Sequence, residues 1–274
     1  MDEDHVYLVG KADKGETVEV SGIVEQTPQG VKRIVVGSSR EAPGEYISRL
    51  YVPKLSDFSA VIFDMDGLVL DTETTYFVAW RQAAKAMGYV FSEAFCNSLS
   101  GLHYQDIEPK LMAYCGADFN LASFNRLSGM FWREHVNAYG IDIKHGFTQL
   151  LEFIVQQQLP YCLATNSRAV NVYQCLELAG IHDVFTIIIT RDDVERGKPA
   201  PDIFLKAAKR MGLKPADCLV LEDSVAGVSA AKKARMRCIA VKTRYSKKQD
   251  LGRADHTAGS LRGVFRILKM MKKA

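Results

Sequence analysis

The sequence predicts an α/β protein: a doubly wound parallel sheet as core, an α-helical cap inserted into it, and a small β-rich extension at the N-terminus. Three observations carry this reading. From Ser59 onward, short apolar runs alternate with helical periodicities, the pattern of buried parallel strands wrapped by helices. Asp66 and Thr165 stand about a hundred positions apart, where a bare crossover between parallel strands takes about 30. Residues 1–56 instead hold Val- and Ile-rich segments parted by the turn signals Pro28-Gln29-Gly30 and Pro43-Gly44.

In the extension, Glu16 to Glu25, Gly30 to Gly37 and Tyr46 to Val52 are expected to form an antiparallel meander. Core strands are expected at Ala60 to Phe63, Tyr161 to Ala164, Thr186 to Ile189, Cys218 to Leu221 and Cys238 to Val241. Helical spacing links Phe147, Leu150, Leu151 and Ile154, and again Ile203, Phe204, Ala207, Ala208 and Met211, with Gly212 as a stop. In the insert, Phe77, Trp80, Ala84 and Met87 mark one helix, Ile107, Leu111 and Tyr114 another, and Leu121, Phe124, Leu127 and Phe131 a third. The expected division is therefore 1–56 for the extension, 57–71 with 146–274 for the core, and 72–145 for the cap.

Composition narrows the function. With 274 residues, 47% of them hydrophobic, the chain can bury a large core and a small one, which excludes disorder. A net charge of +3 is too small to name a polyanion, and the extension carries seven basic against nine acidic residues, so a nucleic-acid partner is not expected. The last 33 residues hold ten Lys or Arg and two Asp, yet Leu261, Val264, Phe265 and Leu268 repeat at helical spacing. Those basic groups read as the solvated face of a docked helix rather than a binding tail. The six cysteines form no CxxC and sit in apolar runs, as reduced thiols do. The N-terminus lacks a basic leader and no apolar run approaches the ~20 residues of a membrane helix, so a cytoplasmic protein with no membrane partner is expected.

The chemistry is carried by carboxylates. Asp64 and Asp66 follow the apolar run Ala60 to Phe63 and so fall at the carboxyl edge of the sheet, where open α/β folds bind ligands. Alone, such a pair is equally well two solvated turn residues. A second pair, Glu222-Asp223, closes the run Cys218 to Leu221 at the same edge, and together the four make an oxygen-rich site suited to Mg²⁺. Thr165-Asn166-Ser167 offers short hydroxyl and amide donors ahead of a helix, a natural place for phosphate oxygens. Gly197-Lys198-Pro199 supplies one cation before another helix.

The strings FDMDGLVLDTE, ATNS, GKPAPD and LEDSVAG, in that order, resemble the haloacid dehalogenase-like superfamily, in its branch of β-phosphoglucomutase-like phosphatases with a helical cap on a Rossmann-like core. The resemblance runs from about Ser59 to about Leu261. It implies a Mg²⁺-dependent phosphatase that hydrolyses a small phosphorylated metabolite, a sugar phosphate or nucleotide-related monoester, through an aspartyl-phosphate. Asp64 is then the nucleophile and Asp66 the general acid and base, while Thr165 and Lys198 hold and neutralise the phosphoryl group. Gly67 and Asn166 join them in binding phosphate. Asp64, the Asp66 carbonyl, Glu222 and Asp223 form the Mg²⁺ set.

Asp71, Thr72 and Glu73 are expected at the hinge and mouth of the site, with Asp71 or Thr72 as an ordinary helix N-cap. A mutase of this branch uses a cap-helix histidine for proton handling, and here Tyr76 stands at that place, which favours water as the final acceptor. Tyr76, Arg81, His103, Tyr104, Gln105 and Lys110 are the polar cap candidates for reading the substrate, and Phe77 and Trp80 are expected in the cap core. The extension is open between a structural addition, a homo-oligomer contact and a binding module. For a binding barrel its aromatic set, Tyr7, Tyr46 and Tyr51, is sparse.

Overall fold

The computed structural model describes 58–99, 104–244, 246 and 250–271, with 5–11, 17–26 and 32–36 as backbone alone; the side chains of 104–106 are not described. In the extension, β1 (His5–Lys11), β2 (Thr17–Gln26) and β3 (Lys32–Val36) form an antiparallel sheet in chain order. The meander is real, but it begins with His5–Lys11, which the sequence reading left unassigned. The expected strand Tyr46 to Val52 lies outside the described residues.

The core is a six-stranded, all-parallel sheet. Its strands are β4 (Ala60–Phe63), β5 (Tyr161–Ala164), β6 (Ile188–Ile189), β7 (Cys218–Glu222), β8 (Arg237–Val241) and β9 (His256–Ala258), in the order β6-β5-β4-β7-β8-β9. The expected strand at Thr186 shrinks to two residues, and β9 is an additional edge strand. β4 lies between β5 and β7, with Phe63 opposite both Leu163 and Leu221. The chain leaves β4 toward one side and later crosses to the other, so the carboxyl ends of β4, β5 and β7 meet at a topological switch point.

Alternation along these strands sends side chains to two cores. Val61, Phe63, Leu163, Leu221 and Ile239 pack against α5 (Phe147–Gln156), α6 (Ala169–Leu178) and α9 (Leu261–Met271). Ala60, Ile62, Cys162, Ala164, Val220 and Cys238 face α7 (Asp202–Arg210) and α8 (Val225–Lys233), where Ala207, Ala208, Ala230 and Ala231 let the helices sit close. Helices on both faces satisfy the double winding that the apolar runs predict. All six cysteines are free thiols, five of them buried in apolar surroundings. Among the described residues no helix is long and apolar enough to cross a membrane.

Between β4 and α5 stand α1 (Thr72–Ala86), α2 (Glu93–Leu99), α3 (Tyr104–Cys115) and α4 (Leu121–Tyr139). They share a third apolar cluster that includes Phe77, Ala84, Leu111 and Phe124, with Trp80 packed against it. The two connections to the core pair with each other: Leu70 bridges Ile143, the Asp71 N–H donates to the Asp142 carbonyl, and the Lys144 N–H donates to the Val69 carbonyl. Lys144 also reaches the Asp71 carboxylate at 3.4 Å. Asp71 occupies the N-cap position of α1 but makes no side-chain cap bond to it, and accepts from the Thr74 hydroxyl instead. The capping role read from the sequence yields here to ties across the hinge.

Candidate active site

The strand ends place Asp64, Thr165 and Glu222 side by side, because β4, β5 and β7 are adjacent and in register. Lys198 enters from the loop before α7 and is the centre of the group. Its ammonium donates to Asp64, to Glu222 Oε1 at 2.7 Å and to the Ala164 carbonyl at 2.9 Å, which uses all three N–H bonds. It also lies 4.9 Å from the centre of the Phe204 ring. Burial alone would lower its pKa, but the Asp64 and Glu222 charges outweigh burial and raise it, so this lysine stays cationic.

Glu222 is fully buried and fully engaged. Oε2 accepts the Asp223 N–H at 2.9 Å and the N–H and hydroxyl of Ser224, each at 3.0 Å, while Oε1 takes Lys198. Gly227 opens α8 to this carboxylate, since a Cβ there would stand 1.7 Å from Oε1.

Asp64, Glu222 and Asp223 each offer a carboxylate oxygen within 4.8 Å of the others. Three buried carboxylates against one ammonium leave an excess of negative charge. Burial pushes Asp64 up to about 8, opposed by Lys198 and reinforced by Glu222 and Asp66. It raises Asp223 as well, helped by Glu222, Asp64 and Glu73. No hydrogen bond from the described residues reaches Asp64 Oδ2 or either oxygen of the Asp223 carboxylate. Three clustered carboxylates, oxygen-only donors with surplus charge, fit a hard divalent cation such as Mg²⁺.

Asp66 is held separately by three hydroxyls. Thr72 donates to Oδ1 at 2.8 Å, and Ser167 and Thr165 donate to Oδ2 at 2.7 and 3.1 Å. Gly67 follows at φ +79°, where a Cβ would meet Asp223 Oδ2 at 2.4 Å, so only glycine lets the chain turn past the acidic cluster. The Asn166 side chain is tied to the Lys198 backbone: its Oδ1 accepts the Lys198 N–H at 2.7 Å and its Nδ2 donates to the Lys198 carbonyl at 3.0 Å.

Residues 61–241 match the model of the haloacid dehalogenase-like hydrolase family, two thirds of the chain and all of the strands just described as lining the site. The chain belongs to the haloacid dehalogenase-like hydrolases. Among similar proteins, a phosphorylated carbohydrates phosphatase of Thermotoga maritima is 31% identical over 177 residues, 64% of this chain and 81% of that protein. A beta-phosphoglucomutase of Bacillus subtilis is 31% identical over 188 residues, covering 66% and 82% of the two chains. A crystal structure of a haloacid dehalogenase-like hydrolase from Entamoeba histolytica superposes with a TM-score of 0.62 at 25% identity, over 78% of this chain and all of that one.

In this hydrolase the structure gathers Asp64, Asp66, Gly67, Thr165, Lys198, Glu222 and Asp223 at one edge, and sets Asn166 behind Lys198. Ser167 has no role of its own in the sequence pattern, where its signal is its two-residue spacing from Thr165 in the loop after β5, and nothing there ties Thr72 to Asp66. Tyr76 stands one turn beyond Thr72 on α1, and burial with the nearby Asp66 carboxylate raises its phenol above the ordinary value. Arg81 and Lys110 are solvent-exposed, and Lys110 donates to the Ser98 carbonyl at 3.4 Å. His103 lies outside the described residues, and Tyr104 and Gln105 are placed on α3 by backbone alone.

Proposed function

We propose that this hydrolase is a Mg²⁺-dependent phosphatase acting on a small phosphorylated metabolite, a sugar phosphate or a nucleotide-related monoester, through an aspartyl-phosphate. The observation that carries the reading is the Lys198 ammonium joined to both Asp64 and Glu222, with Asp66 two residues on in its own hydroxyl cage. Asp64, Asp223 and the Asp66 carbonyl would hold Mg²⁺, with Glu222 alongside. When bound, the cation supplies charge neutralisation between a carboxylate nucleophile and an anionic phosphoryl group.

Asp64 attacks phosphorus, the bond to the alcohol oxygen breaks, and protonated Asp66 gives its proton to that oxygen. Asp66, now a base, takes a proton from water as the water oxygen attacks the aspartyl-phosphate, which returns Asp64 and releases phosphate. Thr165 holds the phosphoryl group, and the charge of Lys198 neutralises it in both steps. Glu222 keeps Lys198 aimed, and Asn166 fixes its backbone. Helices α1 to α4 act as a cap that chooses the substrate, and the N-terminal extension is an addition outside the catalytic unit.

Transfer back to a sugar, the mutase outcome, needs a proton carrier in the cap. Tyr76 is a poor one, because its raised phenol holds its proton near neutral pH. Water is therefore the acceptor. The test is phosphate release over a panel of phosphorylated metabolites, with Asp64→Asn and chelated metal as controls. Release that survives either control overturns the proposal.

A further inference from the structure

Three strands cannot bury the apolar face they make by themselves. Register sets Leu8 opposite Val20 and Val24 opposite Ile34, and alternation places Val6 and Val36 with them, so one face of β1-β2-β3 is apolar except where Gln26 meets Lys32 at its end. The other face carries the charged positions Lys11, Glu19, Glu25 and Arg33. Gly10 and Gly22 both fall on the apolar face, and glycine inside a strand marks a place where another backbone comes close. A sheet of this size has no core of its own and must lay that face on another element.

The core offers a place at its far edge. β9 pairs with β8 on one side and ends the six-stranded sheet on the other. Such an edge is ordinarily solvated, yet His256, Thr257 and Ala258 are all buried, with 7%, 2% and 2% of their surface exposed. A small hollow beside β9 is lined by Phe58, Ile239, His256 and Met271, and the buried Nδ1 of His256 has no hydrogen-bond partner among the described residues. β1 passes this edge. Cα atoms of β1 and β9 come within 8 Å of each other, nearer than the ~10 Å of stacked sheets, although no ladder joins the two.

We infer that the extension docks in cis, its apolar face laid on the β9 edge of its own chain, and is a fixed wall of the core rather than a free binding module or a dimer contact. A second copy is the other candidate occupant. The apolar face, three strands of about five residues, covers roughly 300 Å², well short of the ~800 Å² per partner of a stable interface. In cis, the 21 residues between Val36 and Phe58 tether the sheet beside its dock, and effective concentration makes up the difference. Docking also closes β9 to strand addition from outside. None of these residues belongs to the acidic cluster, so the inference does not rest on the phosphatase reading.

The test is hydrogen exchange, read by mass spectrometry on the full chain. Leu8→Asp puts a charge inside the apolar face, and Tyr7→Asp puts one on the opposite face. Exchange at His256–Ala258 is expected to rise about tenfold or more in Leu8→Asp, with Ala60–Phe63 and Cys218–Glu222 unchanged, and to stay within about twofold of wild type in Tyr7→Asp. Unaltered exchange at His256–Ala258 in Leu8→Asp, or an equal rise in both variants, overturns the docking. A second measurement needs no variant: lysine cross-linking of an equal mixture of unlabelled and heavy-isotope-labelled wild type. Links from Lys11 or Lys32 to Lys232, which bonds Asp255 just before β9, are expected within one chain. Mixed-isotope links between those residues, or no link to Lys232, overturn docking in cis.

Discussion

Asn166 and Lys198 are joined by two hydrogen bonds across 32 residues of chain, each made by the Asn166 amide to the lysine's backbone. The contact leaves no room for a side chain at Gly197, where a Cβ would stand 2.6 Å from Asn166 Oδ1. Asn166→Ala is expected to lower kcat by roughly 10- to 100-fold with KM nearly unchanged, because the aim of Lys198 matters most as charge develops in the transition state. A side chain that bound ground-state phosphate would raise KM instead. Steady-state kinetics separates the two.

Gly227 is set against Glu222, and Gly227→Ala forces either α8 or the carboxylate to move. Overpacking of this kind costs roughly 1–3 kcal/mol. The expected outcome is a lower urea midpoint together with a large loss of turnover, since Glu222 cannot move without releasing Lys198.

Asp223 adds to an excess of buried negative charge. In metal-free protein Asp223→Asn is expected to raise stability by roughly 1 kcal/mol, through relief of like charge. Saturating Mg²⁺ is expected to raise the Tm of wild type and to leave that of the variant unmoved. Thermal melts with chelator and with Mg²⁺ check both halves.

Asp193 closes a capping box on the turn Arg191–Asp193, accepting the N–H and hydroxyl of Thr190 at 2.8 Å each. The Thr190 backbone bond is the main cause holding its carboxyl below the ordinary 3.8; burial, the next largest effect, opposes it, and the Thr190 hydroxyl and Lys206 lower it further. A lowered folded value means stability that is present above the unfolded value and lost as pH falls through the folded one. The gap in denaturant midpoint between wild type and Asp193→Asn should therefore be constant from pH 5 to 8 and close below about pH 4.

The core was legible where burial is continuous. Ala60 to Phe63 and Cys218 to Leu221 are buried on both faces and read as unbroken apolar runs, which made Asp64 and Glu222 stand out at their ends. Short elements gave no such signal. His256–Ala258 has three residues and one apolar side chain, and Glu93–Leu99 is too brief for a helical period to repeat. The bonds between the Asn166 side chain and Lys198 carry no sequence signal, because the two residues are distant in the chain and only the packing of two loops brings them together. Asp71 stands at the N-cap of α1 as read, but its side-chain tie to Lys144, 73 positions away, has no local signal for the same reason.

The bridge between Leu70 and Ile143 has a consequence for how this enzyme can change. The chain departs from the sheet and returns to it at adjoining backbone positions, so whatever lies between them can lengthen, shorten or be repacked at a small cost in closure entropy. Strand register and the carboxylates of Asp64, Glu222 and Asp223 do not depend on that excursion, which reaches the acidic cluster through the bond from Thr72 to Asp66. Selection for a new substrate can act on the helices alone, while the reaction beneath them is inherited intact.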